Sequence, residues 1–262
     1  MTRKPSRGRA AGSRALAWRW RDGALVEIAA PQRVRLADLL HIDDQNAALA
    51  ANTRQFVQGR PANHALLTGA RGTGKSSLVK AMLTEFSGRG LRLVEVAALD
   101  LPRLADVVRP LRDRRERFVL YVDDFSVAAH DPGLAALKGA LDGDLEAPPE
   151  NVLIYATSNR RHLMPEFHRE NEEYRWLEGE LHPGESAEEK ISLSERFGLW
   201  LSFPPFSQEQ YLALVAHHVQ RLGGEMTAAA RAESLRWALT RASRSGRVAM
   251  QFARDWVGKG GR

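Results

Sequence analysis

The chain of 262 residues contains no cysteine. Neither a disulfide framework nor a cysteine-rich zinc site can therefore be built from it, a composition that suits a reducing compartment. No apolar run approaches the roughly 20 residues that would cross a bilayer, and the N-terminus lacks an apolar core of the signal-peptide kind. These absences point to a cytoplasmic protein with no membrane partner. Acids are missing from residues 1–21, which carry Arg3, Lys4, Arg7, Arg9, Arg14, Arg19 and Arg21. With those seven set aside from the 38 basic residues, 31 remain against 32 acids, so the net charge of +6 belongs to the tail. Its Gly, Ser, Pro and Arg content predicts disorder as far as Trp18 and Trp20, and any nucleic-acid binding is expected to reside there. An acid-poor, Arg-rich start also has the composition of an organelle transit peptide. No Asn-Lys-x-Asp guanine-reading motif occurs, which points away from GTP, and no repeat of solenoid period is present.

The length accommodates one α/β nucleotide-binding domain and a small appendage. Five apolar runs, at residues 65–68, 91–96, 118–122, 152–156 and 199–203, read as strands of a parallel sheet covered on both faces, with helical crossovers between them. A helical stretch at about residues 44–58 precedes the first of these. After Pro204 and Pro205 the pattern turns helical throughout. Ser207 and Gln210 form a capping box, Gly223 and Gly224 end that helix, and two more helices follow Thr227 and Gly246. The expected division is a basic tail at 1–21, a nucleotide-binding domain at 22–204 with an acidic insertion at about 162–190, and a helical domain at 205–262.

Gly69-Ala70-Arg71-Gly72-Thr73-Gly74-Lys75-Ser76 satisfies the P-loop pattern and stands between a strand and a helix, where its mechanism requires it. The glycines let the backbone curl so that its N–H groups and the helix N-terminus face a phosphate. Lys75 would reach the β and γ phosphates of ATP, and the Ser76 hydroxyl would bind Mg²⁺. The run 118–122 ends in Asp123 and Asp124. Asp123 is assigned to the metal's water shell and Asp124 to polarising the attacking water. The run 152–156 ends in Thr157, Ser158 and Asn159, a polar cluster able to bridge the γ-phosphate and that water.

The order P-loop, acidic strand, polar-ended strand, then Ser194-Glu195-Arg196-Phe197-Gly198 and Ser245-Gly246-Arg247, resembles the AAA+ superfamily. More narrowly, residues 156–163, 181–185 and 188–201 are similar to an uncharacterised bacterial AAA family catalogued as domain of unknown function 815. This resemblance implies a RecA-like three-layer αβα sandwich with a five-stranded parallel sheet and a helical lid. It makes Asn159 sensor 1, Arg196 an arginine finger acting on a neighbour's nucleotide, and Arg247 sensor 2. It also places adenine between Leu40, His41 and Ile42 on one side and Tyr211 on the other, with the phosphates along Gly69 to Ser77. Val127 and Ala128 stand where the family tends to carry an acid.

The function so implied is an oligomeric ATPase that remodels a protein or nucleic-acid client. The alternative is a slow ATP-dependent binding switch. A small-molecule kinase would leave Arg196, Arg247 and the lid without a role. Residues 97–117 lack the aromatic-glycine pair with which threading ATPases grip polypeptide, which counts against an unfoldase. The nine acids of residues 166–189 read as a solvated insertion or as a docking surface for a basic partner or neighbouring subunit. His162, His168 and His182 match no metal-binding spacing, and His217 and His218 read as packed or solvated lid residues.

Overall fold

The computed structural model describes residues 15–125, 137–141, 149–159 and 195–261, together with the backbone of 175–177 and 180–182. The elements are β1 (Ala17–Arg21), β2 (Ala24–Glu27), α1 (Asp43–Val57), β3 (Ala65–Gly69), α2 (Lys75–Phe86), β4 (Leu91–Val96), α3 (Leu104–Val108), β5 (Arg117–Val122) and β6 (Val152–Ser158). Then come β7 (Arg175–Leu177), β8 (Glu180–His182), β9 (Leu199–Phe203), α4 (Gln208–Arg221), α5 (Ala228–Thr240) and α6 (Gly246–Gly258). Strands β7 and β8 form a small antiparallel ribbon. The rest of the acidic stretch, with His162 and His168, lies outside the described residues, as do Val127 and Ala128.

The main sheet runs β2-β1-β4-β5-β6-β3-β9. It has seven strands, not the five expected. The five apolar runs form the parallel block β4-β5-β6-β3-β9, and β1 adds to it in parallel beside β4 while β2 closes the edge antiparallel. The last five residues of the basic tail are therefore strand. Trp18 and Trp20 alternate with Arg19 and Arg21, so both indoles go to one face and both guanidiniums stay exposed. Asp22 and Gly23 (φ 51° and 78°) make the two-residue turn that pairs Arg21 with Ala24, the geometry that favours Asp-Gly in hairpins.

Alternate residues of each central strand serve the two sides of the sheet. Leu67, Val119, Tyr121, Leu153 and Tyr155 face the core shared with α1, α2 and α4. Leu66, Leu120, Val122 and Ile154 face the core of Trp18, Trp20, α3 and the helical turn at 137–141. Burial on both faces is why these runs are apolar without alternation. Helices α4, α5 and α6 pack on one another. Side-chain caps start all three: Ser207 with Gln210 as a capping box on α4, Thr227 on α5 and Ser245 on α6.

Candidate nucleotide-binding site

The loop 69–74 leaves the carboxyl end of β3 and enters α2, whose first turn carries no side-chain cap. The N–H groups of that turn are thus left for an anion. Glycine is required at Gly69, where a Cβ would stand 2.1 Å from the Phe203 carbonyl oxygen, and at Gly72 (φ 70°), where it would stand 2.7 Å from Ser245. The close approach at Gly72 brings the lid onto the loop, because Gly246 N–H donates to the Gly72 oxygen (2.9 Å). Lys75 is buried, and its Nζ donates to the oxygens of Gly69 (2.8 Å) and Ala70 (2.7 Å). Desolvation lowers its pKa to about 8, against the opposing pull of Asp124 and Asp123.

At the end of β5, Asp123 Oδ1 accepts from Ser76 Oγ (2.7 Å) and from Thr157 Oγ1 (2.7 Å). Burial opposes its ionisation, but the hydroxyls of Thr157, Tyr121 and Ser76 and the charge of Lys80 together outweigh burial, and its pKa lies below the ordinary carboxylate value. An ionised carboxylate beside a hydroxyl in the first turn of α2 is a hard oxygen set that suits Mg²⁺, which keeps several waters and takes further ligands from phosphate. Asp124 takes a left-handed backbone (φ 53°). Its N–H donates to Thr157 Oγ1 (3.0 Å), Phe125 N–H donates to the Thr157 carbonyl (2.7 Å), and Asn159 Nδ2 donates to the Asp124 carboxylate. Thr157 thus holds three consecutive residues of the acidic strand end. It was visible in the sequence only as one of three polar residues, and the bonds that single it out cross from β6 to β5.

These groups line one cleft of about 550 Å³. Of the residues expected to bind nucleotide, Leu40, Ile42, residues 71–77, Asp123, Asp124, Asn159 and Arg247 line it. Gly69, Ala70, His41 and Tyr211 do not. Gly69 and Ala70 are hydrogen-bonded to β9 and to Lys75 behind the loop. His41 is exposed, its ring at the edge of Phe206, while Tyr211 is fully buried in the lid with its hydroxyl donating to the Ser234 oxygen (3.1 Å). The apolar end of the cleft is instead made by Leu39, Leu40, Ile42, Phe206, Leu214 and Met250, with His218 beside them. Helical periodicity marks Leu214 and His218 as one face of α4, and only the tertiary packing shows that this face, and not Tyr211, meets the cleft. Asp38 also lies on the wall. A hydrogen bond from Arg35 is the largest of the effects holding its pKa below the usual range, and Arg221 adds to it from α4 at 3.1 Å. Arg196 lies outside the cleft, half-buried in the turn before β9 and engaged in contacts of its own.

The family described as "protein of unknown function (DUF815)" matches residues 12–260. The chain belongs to that family. No curated protein matches the DUF815 chain. Among solved structures it is similar in fold to the RuvB Holliday junction branch migration motor of Thermotoga maritima, with a TM-score of 0.56 and 15% identity over 87% of this chain and 66% of that one. An A156S mutant of the same RuvB gives a TM-score of 0.60 at 15% identity, covering 87% and 67%. The DUF815 chain thus spans about two thirds of the RuvB chain and has its AAA+ fold. Among the described residues, no helix is long and apolar enough to cross a membrane, and no group of three or more His, Cys, Asp or Glu could hold a metal ion by itself.

Proposed function

We propose that this DUF815 protein binds ATP with Mg²⁺ in the cleft and hydrolyses it as an oligomeric AAA+ ATPase that remodels a protein or nucleic-acid client in the cytoplasm. The observation that carries the proposal is the convergence on one cleft of Lys75, Ser76, Asp123, Asp124, Asn159 and Arg247 from four separate segments. A nucleic-acid client draws support from the fold shared with a Holliday junction motor and from the basic tail. The absence of cysteine fits a reducing compartment.

In this reading residues 22–204 hold the phosphates and residues 205–262 form the lid. Lys75 leaves the Gly69 and Ala70 carbonyls for the β and γ phosphates, and the first-turn N–H groups of α2 take the remaining charge. Ser76 Oγ and the water shell on Asp123 would hold Mg²⁺, which would supply positive charge to neutralise that developing on the phosphates. Asp124 polarises the attacking water, oriented by Asn159 and by the Thr157 hydroxyl. Arg247 approaches the γ-phosphate from α6, and Arg196 serves the nucleotide of an adjacent subunit.

The test is a pair of substitutions. Lys75→Ala should abolish ATP binding, whereas Asp124→Asn should bind ATP and fail to turn it over. Equal loss of binding in both would overturn the assignment of roles. A slow ATP-dependent switch is the second reading, favoured by the short Asp124 side chain and by the Asn159 amide that occupies its carboxylate. A turnover near zero in an assembled, client-saturated wild type would select it.

A further inference from the structure

The loop 69–74 and the lid meet at a hydrogen bond from Gly246 N–H to the Gly72 oxygen (2.9 Å). An arginine stands next to each end of it. Arg71 precedes the acceptor and Arg247 follows the donor, and both line the cleft. Their chain roots are close and fixed. A Cβ at Gly72 would lie 3.6 Å from the Arg247 Cβ. On the loop side Ala70 N–H donates to the Phe203 oxygen (3.0 Å), and the Ala70 oxygen accepts from Thr73 Oγ1 (2.8 Å) and Lys75 Nζ (2.7 Å). The backbone on either side of Arg71 is thus tied down, and its side chain is exposed.

Arg247 is exposed as well, and neither guanidinium makes a hydrogen bond or an ion pair among the described residues. The acids of the cleft are engaged elsewhere: Asp38 by Arg35 and Arg221, Asp123 by Ser76 and Thr157, Asp124 by Asn159. Two cations rooted side by side on a concave wall, with no acid paired to either, raise the local potential and draw an anion in. The charge of Arg71 also reaches Lys75, whose pKa it helps to lower, so an anion that meets Lys75 lies within the field of Arg71.

A guanidinium presents its donors as a planar fork that suits two oxygens of one phosphate. The outermost phosphate of a nucleoside triphosphate has three oxygens free, one more than an inner phosphate, and can serve a loop cation and a lid cation together. In the ATP-binding reading Arg247 meets the γ-phosphate. Arg71, rooted beside it, is placed for the same group from the loop side.

We propose that Arg71 is a specificity-determining residue that holds the γ-phosphate jointly with Arg247 across the seam of loop and lid, and so selects nucleoside triphosphates over diphosphates. The inference rests on the ATP-binding reading and adds to it a side chain at a position that the P-loop pattern leaves open to any residue.

The experiment compares two ligands that differ by the outer phosphate. Dissociation constants of the full chain for ADP and for an ATP analogue with a non-hydrolysable imido bridge between the β and γ phosphorus atoms are measured by calorimetry with Mg²⁺. Arg71→Ala, checked for folding by its thermal melt, should bind the analogue about ten- to hundredfold more weakly than wild type through loss of a charge-assisted contact, and ADP within about threefold. Arg71→Lys keeps the charge without the fork and should fall between Arg71→Ala and wild type for the analogue. Arg247→Ala should show the same selective loss. Equal weakening of both ligands by Arg71→Ala overturns the inference, because the side chain would then support the loop and not read the outer phosphate. So does an Arg71→Ala protein that binds the analogue as wild type does while Lys75→Ala binds neither ligand. A wild type that binds no nucleotide, or a Lys75→Ala protein that binds both ligands as wild type does, overturns the ATP-binding reading itself.

Discussion

ATP affinity should fall as pH rises through about 8, and Lys75 is the cause. In the free protein burial holds its pKa at about 8, with the ammonium resting on the Gly69 and Ala70 carbonyls. Between phosphate oxygens the charged form is favoured and the pKa rises. Binding then takes up a proton whenever the free protein has lost one. The sign follows: affinity is flat below about pH 7 and declines above the free-protein pKa until the bound-state pKa is reached. With a pKa of about 8, roughly nine-tenths of the free protein is charged at pH 7 and one-tenth at pH 9, so the apparent affinity should drop about tenfold, or about 1.4 kcal/mol, between those values. No cysteine titrates in this window, and Lys75→Ala should show no binding anywhere across it. Calorimetry at pH 8 in buffers of different ionisation enthalpy should register uptake of about half a proton per ATP. Affinity that stays level from pH 7 to 9.5 with no proton uptake would refute the argument.

Four further outcomes are expected. Thr157→Val, which removes the hydroxyl shared by Asp123 and Asp124 but keeps the volume, should lower turnover by about ten- to hundredfold while leaving ATP affinity within about threefold; unchanged steady-state turnover would remove Thr157 from the site. Arg196→Ala should bind ATP normally and lose about 10³–10⁵ in rate, and mixing it with Lys75→Ala should restore activity that rises with concentration. An inactive mixture beside a wild type fully active as a dilute monomer would sink the interface role. Deleting residues 1–14 should leave the melting temperature unchanged while abolishing any salt-sensitive nucleic-acid binding. Trp20→Ala, by contrast, should cost about 3–5 kcal/mol in denaturant unfolding because it empties the core beneath β1.

The central sheet and the loop at one end of the cleft were legible in the sequence for different reasons. Strands β3 to β6 are buried on both faces and so are apolar over most of their length, with Arg92 and Glu95 of β4 only partly buried. The phosphate loop is read from spacing alone because its contacts are made by backbone within eight consecutive residues. Strands β1 and β2 escaped because the charge of residues 1–21 was read as a whole, and its average hid the Trp-Arg alternation and the Asp22-Gly23 turn. The apolar end of the cleft was harder in principle. Leu39, Phe206, Leu214, His218 and Met250 come from the approach to α1, the residues before α4, α4 itself and α6, and no local pattern brings such positions together. Tyr211 looked suitable as an aromatic on the first lid helix, but its hydroxyl is used up inside the lid.

The hydrogen bond from Gly246 to Gly72 makes the phosphate loop and the start of α6 neighbours in a mechanical sense. Any shift in the loop's backbone is handed through one contact to the amino end of a 13-residue rod, and α6 in turn lies against α4 and α5. A displacement at the amino end of such a rod would be carried along it toward Trp256 and Lys259 at its far end. Under the proposed function, occupancy of the pocket would in this way be written on a part of the protein outside the cleft.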